Sequence, residues 1–69
     1  MLGIGDKVHY IPFEGCDERL IENGKIKSFA ESGNPFVVYH CNNEWDKWMD
    51  YTGQNTPLDK VKQGWYETV

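Results

Sequence analysis

The sequence predicts a small all-β fold in which five short strands close into a barrel. Three observations predict it. Short segments alternate apolar and polar residues with period two, as where Val8 and Tyr10 interleave with Lys7 and His9. Turn-forming clusters separate these segments, among them Gly5-Asp6 and Ser32-Gly33-Asn34-Pro35. No segment sustains the 3.6-residue repeat of an amphipathic helix, which disfavours a helical bundle. A chain of 69 residues is too short for a β-sandwich, and barrel closure removes the edges that an open sheet would carry.

The elements follow in order. Gly5-Asp6 introduces a first strand over Lys7 to Ile11, stopped by Pro12. Residues 13 to 22 form a polar loop, in which Asp17 to Glu22 can make one helical turn closed by Gly24; the competing reading makes Asn23-Gly24 a tight turn. Lys25 to Ala30 is the second strand. After the turn at 32 to 35, Phe36 to Cys41 is almost wholly apolar or aromatic and reads as the most buried strand. A longer connection over 42 to 50 precedes a weaker fourth strand, Tyr51 to Thr56, with Gly53 as a bulge. Pro57-Leu58-Asp59-Lys60-Val61 reads as a 3₁₀ turn that places Leu58 and Val61 on one side, and Lys62 to Tyr66 supplies the last strand. The predicted core is Val8, Ile26, Val38, Leu58 and Val61. Val37 competes with Val38 for the core face, because neighbours on a strand face opposite ways.

The whole of residues 1 to 69 is expected to be one domain. Ten aromatic residues can each bury a large area in so small a core, and some of them must remain partly exposed. A net charge of −4 and a single arginine, Arg19, disfavour a general nucleic-acid binder, which must neutralise phosphates. No apolar run approaches the length of a membrane span, and the N-terminal residues do not form a secretory signal. Two cysteines, Cys16 and Cys41, are too few for a disulfide framework and are expected to be thiols in a cytoplasmic protein.

Four motifs in this order carry a family likeness: Gly5-Asp6-Lys7-Val8, Asn23-Gly24-Lys25-Ile26, Phe36-Val37-Val38-Tyr39 and Leu58-Asp59-Lys60-Val61. Together they resemble SH3-like barrels of the Tudor and KOW kind, over nearly the whole chain. The chain is also similar to small bacterial and phage barrel proteins that carry a Trp- and Tyr-containing insertion and end in Gly-Trp. The resemblance implies a fold and assigns no activity.

The segment with the richest chemistry runs from Asn43 to Tyr51. With Asn43 as cap, a helical turn would place Trp45 and Trp48 on one face, flanked by Glu44, Asp46 and Asp50. Ring faces and carboxylates suit a cationic group, so this surface predicts an aromatic cage or peptide-binding groove, similar in kind to Tudor domains. Tyr51 belongs to the same surface, with Tyr10, Phe13 and Tyr39 as neighbours from strand ends. The alternative is that Trp45 and Trp48 fold back and plug the barrel.

Other constellations predict no chemistry. His9, Cys16, His40 and Cys41 lack the paired spacing of a zinc site, and His40 and Cys41 point to opposite faces of their strand. Asp46 and Asp50 lie in a solvated loop and lack the carboxylate that would complete a calcium loop. No catalytic residue, metal or cofactor is therefore expected. Lys25, Lys27 and Phe29 share a strand face that could contact single-stranded nucleic acid, which the overall charge disfavours. The residues from Glu67 to Val69 are expected to fray.

The expected function is a non-enzymatic binding module for a protein or peptide, acting through Trp45, Trp48, Tyr51, Asp46 and Asp50. The alternatives are an assembly protein, for example a small phage-borne component, whose aromatic surface is an oligomer interface, and a nucleic-acid-binding barrel.

Overall fold

The computed structural model describes residues 2–39 and 44–67. Five antiparallel strands form one sheet: β1 (Lys7–Tyr10), β2 (Glu22–Phe29), β3 (Pro35–Tyr39), β4 (Gln54–Asn55) and β5 (Val61–Gln63). Their order across the sheet is β4-β3-β2-β1-β5. Three 3₁₀ segments complete the described chain: Glu18–Leu20, Trp45–Asp50 and Leu58–Lys60, the last directly before β5. The fold class predicted from turn residues and period-two alternation is the one found.

The sheet must be curled. β4 and β5 are its opposite edges, which lie roughly 19 Å apart in a flat sheet of five strands. Only residues 56 to 60 join them, and with one 3₁₀ turn among them the chain from Asn55 to Val61 reaches about 17–18 Å. Backbone bonds tie the connection to both sides of the sheet: Thr56 N–H donates to the Pro35 carbonyl (3.0 Å) and Ile11 N–H to the Lys60 carbonyl (2.9 Å).

Inside the curl, Val8, Ile26, Val37 and Val61 form the buried cluster, with Leu2 and Tyr39 packed against it. Val38 is also buried, at 1% exposure, although by alternation it faces the other side of the sheet. Both faces of β3 are thus covered, which is why Val37 and Val38 are both buried. Leu58 is not in the core: it is 47% exposed. The 3₁₀ turn ends at Lys60, and Val61 already has extended backbone (φ −110°, ψ 129°), so Leu58 and Val61 do not share a side.

The helical turn expected within Asp17 to Glu22 is present as Glu18–Leu20, capped by Asp17, but Gly24 does not close it; Asn23 and Gly24 lie within β2 and form no tight turn either. Gly24 is there because β3 passes so close. A Cβ on it would sit 2.5 Å from the Val38 carbonyl oxygen and 2.6 Å from a Val37 methyl. The irregularity expected at Gly53 lies instead between Ile26 and Ser28, where the β2–β3 register shifts at Lys27. The fourth strand is reduced to Gln54–Asn55. The last begins at Val61 and ends at Gln63, because Gly64 (φ 86°) turns the chain out of the sheet.

Candidate functional site

The outer face of the sheet carries Lys7 of β1, Lys25 of β2 and Val38 of β3 in one cross-strand row. Tryptophan rings lie over its two lysines. The Lys7 ammonium lies 4.5 Å from the centroid of the Trp65 ring, and Trp65 in turn meets Trp45 at 4.8 Å between centroids. The Lys25 ammonium lies 4.9 Å from the Trp48 ring. Lys27, at the register shift, donates from Nζ to the Tyr51 carbonyl (2.8 Å). Trp45 and Trp48 are therefore half-buried against the outside of the sheet; they neither stand free nor close the barrel's open end.

The local chain explains this placement. Trp45–Asp50 is a 3₁₀ segment with a kink at Lys47 (φ −113°, ψ 17°), so the two indoles part company and each takes its own partner. Glu44 stands at the N-cap without a side-chain capping bond, and its carboxylate instead accepts from the Tyr51 hydroxyl at 3.0 Å. The segment is thereby fastened at its start, middle and end. Asp46, Lys47, Met49 and Asp50 point outward, with Met49 51% exposed. The cap expected at Asn43, and the roles considered for His40 and Cys41, lie outside the described residues.

Tyr10, Phe13 and Tyr39 are not part of this surface. Tyr10 and Tyr39 meet edge to face (6.3 Å) on the inner side of the sheet, where they line a groove of about 150 Å³ with Glu22, Gln54, Asn55, Thr56 and Pro57. The Tyr39 hydroxyl shares a hydrogen bond with Thr56 Oγ1 (2.9 Å), and Thr56 also donates to the Gln54 carbonyl. Burial raises the Tyr39 pKa; the Thr56 bond works against this, while the charges of Glu22 and Tyr10 add to it. Phe13 is 58% exposed and lines a separate cavity of about 290 Å³ with Ile11, Glu14, Asp59, Lys60 and Lys62.

Comparison with protein-family models, with curated proteins and with solved structures finds no match. The chemistry must be read from the residues themselves.

Trp65 and Asn23 were missed by the sequence reading. Residues 64 to 66 leave β5 and cross the outer face. The Trp65 indole N–H donates to the Gly24 carbonyl (2.9 Å), and the Asn23 carboxamide brackets Tyr66, accepting from its N–H (2.8 Å) and donating to its carbonyl (3.0 Å). The Gly64-Trp65 pair was the available signal, since a positive-φ glycine beside a large aromatic marks a chain folding back.

Among the described residues no group of three or more His, Cys, Asp or Glu side chains could hold a metal ion. His9 Nδ1 is engaged with the Gly64 carbonyl (2.8 Å). Asp17 and Arg19 form an exposed ion pair at 2.8 Å, which lowers the Asp17 pKa and raises that of Arg19. No helix among the described residues is long and apolar enough to cross a membrane.

Proposed function

We propose that this chain is a non-enzymatic binding module, an SH3-like barrel whose Glu44–Tyr51 segment docks a basic peptide or protein. One observation carries the reading: exposed Met49 and the half-exposed indoles of Trp45 and Trp48 stand on a segment fastened to the sheet by Lys25, Lys27 and Trp65. A surface held in place before its partner arrives loses little freedom on binding. Met is adaptable and Trp contributes large contact area, while Asp46 and Asp50 set the charge preference at the rim. The chain's net charge of −4 favours the same partners. A cytoplasmic setting belongs to the proposal, on the grounds of sparse cysteine and the lack of a long apolar run.

A second reading rests on the groove between Tyr10 and Tyr39, where two rings and the Glu22 carboxylate converge. There the ring faces suit a cationic side chain, the chemistry that a Tudor-like barrel implies. One face of Trp48 and one face of Trp65, by contrast, are each engaged by one of the chain's own lysines. The same engagement of Lys25 and Lys27 weakens the nucleic-acid alternative.

An array of Lys- and Arg-bearing peptides tests these readings. Met49→Ser and the pair Asp46→Lys, Asp50→Lys should abolish capture while preserving the melting temperature, since all three side chains are exposed. Capture that depends on Tyr10 and ignores Met49 moves the site to the groove. If no peptide binds and light scattering shows a stable oligomer lost in Met49→Ser, the segment is an assembly interface.

A further inference from the structure

One cavity serves neither reading above. It lies where the loop after β1 meets the last 3₁₀ turn and β5, with a volume of about 290 Å³. Its two walls are pinned together. Ile11 N–H donates to the Lys60 carbonyl (2.9 Å), and Lys60 Nζ donates back to the Pro12 carbonyl (2.6 Å). The loop wall is itself closed by Cys16 N–H on the Phe13 carbonyl (3.2 Å). Phe13, 58% exposed, and half-buried Ile11 supply the apolar lining. Glu14 brings a carboxylate from the loop, Asp59 one from the 3₁₀ turn, and Lys62 an ammonium from β5. These three side chains are exposed, and none has a hydrogen bond or ion pair among the described residues. That sets Lys62 apart from Lys7, Lys25, Lys27 and Lys60, which are all engaged within the chain.

We propose that this cavity binds a small zwitterion with an apolar side chain, the chemistry of a free apolar α-amino acid. With Lys60 counted, its lining holds two positive and two negative charges, whereas the whole chain carries −4. A balanced lining disfavours a ligand of one charge sign, which would meet repulsion as well as attraction. A zwitterion satisfies both signs: its carboxylate accepts from Lys62, and its ammonium donates to Glu14 or Asp59. Its side chain covers Phe13 and Ile11. No bond within the chain has to break for this, because none of the three charged groups is engaged. The volume is just under the roughly 300–1,000 Å³ of clefts for drug-sized ligands, which suits one residue better than a peptide. Charge contacts so exposed are weak, so the dissociation constant should be about millimolar. The inference is independent of what Glu44–Tyr51 or the groove between Tyr10 and Tyr39 binds.

The test titrates L-phenylalanine into the full chain and follows amide shifts in proton–nitrogen correlation spectra. Phe13, Glu14, Asp59 and Lys62 should shift saturably. Two blocked forms separate the charges: N-acetylphenylalanine lacks the ammonium, and phenylalaninamide lacks the carboxylate. Each should bind about fivefold more weakly or worse. Lys62→Gln should weaken phenylalanine to the level of phenylalaninamide and leave phenylalaninamide itself unchanged. Glu14→Gln combined with Asp59→Asn should weaken phenylalanine to the level of N-acetylphenylalanine and leave that form unchanged. All three positions are exposed, so melting temperatures should match wild type. If a variant unfolds, the blocked forms on the wild-type chain decide alone. The absence of a saturable shift at these residues overturns the proposal. So do blocked forms that bind as tightly as phenylalanine, or shifts confined to Tyr10 and Tyr39, which would place the amino acid in the groove.

Discussion

The Trp65 indole N–H reaches the Gly24 carbonyl at 2.9 Å, joining the last described aromatic segment to the middle of the central strand. Removing the donor leaves that carbonyl one partner short under a large ring. Trp65→Phe should therefore cost about 1–3 kcal/mol, the usual penalty for a buried polar group that loses its bond. Thermal melting of the two proteins checks this. An unchanged midpoint would mean that the strap contributes nothing to the folded state.

Gly24→Ala should be the more damaging change. The added methyl meets the Val38 carbonyl oxygen at 2.5 Å, and backbone on a paired strand cannot step aside. Overpacking of this kind costs about 1–3 kcal/mol and sometimes more, against a total of ~5 kcal/mol for a small domain. Gly53→Ala is the milder comparison, because its Cβ would meet Phe36 at 3.0 Å from Cβ and 3.3 Å from the backbone carbonyl carbon, against 2.5 Å at Gly24. Denaturant midpoints should fall much further for Gly24→Ala than for Gly53→Ala.

Leu58→Ala and Val37→Ala separate the predicted core from the observed one. Leu58 is 47% exposed, so its truncation should stay within about 0.5 kcal/mol of wild type. Val37 is fully buried, and deleting its two methyls should cost roughly 2 kcal/mol or more. Equal losses at the two positions would contradict the burial described for both.

Alkaline stability should report Tyr39. Its folded pKa is raised, first by burial, so the folded chain holds the phenolic proton at a pH where the unfolded chain releases it. The stabilisation is full below the unfolded value near 10 and is lost as pH climbs through the folded value. Tyr39→Phe should reduce that alkaline loss, while costing about 0.5–1.5 kcal/mol at neutral pH for the bond to Thr56. Urea midpoints between pH 8 and about 11 measure both effects. A variant with the same alkaline slope would assign the loss to Tyr66, whose pKa is raised first by its bond to Glu18.

The strands and the 3₁₀ turn before β5 were legible because their signals are local. Val8 and Tyr10 alternate with polar neighbours, and Pro35 and Pro57 punctuate the chain. Gly24 was misread because its reason lies in another strand: Asn-Gly signals a turn only where nothing passes close overhead. The burial of Val37 together with Val38 could not be decided from a run of apolar residues, since it depends on what covers the outer face. On that face Trp65 lies over Lys7 and Trp48 over Lys25, with Trp45 packed on Trp65 from twenty residues away. The same limit separated Tyr10 and Tyr39 from the tryptophans, although all were legible as candidate binding aromatics.

Because β1 pairs with β5, residues as far apart as Val8 and Gln63 must meet before the sheet is whole. During synthesis, β1 emerges from the ribosome with one edge unsatisfied and waits for nearly the entire remaining domain to be translated. β2 and β3 can dock in the meantime, but the inner cluster lacks Val61 until the last strand appears. Such reliance on distant pairing slows folding and leaves β1 open to strands from other nascent chains. Lys7 and His9 on that strand make such mispairing less favourable while β5 is still being made.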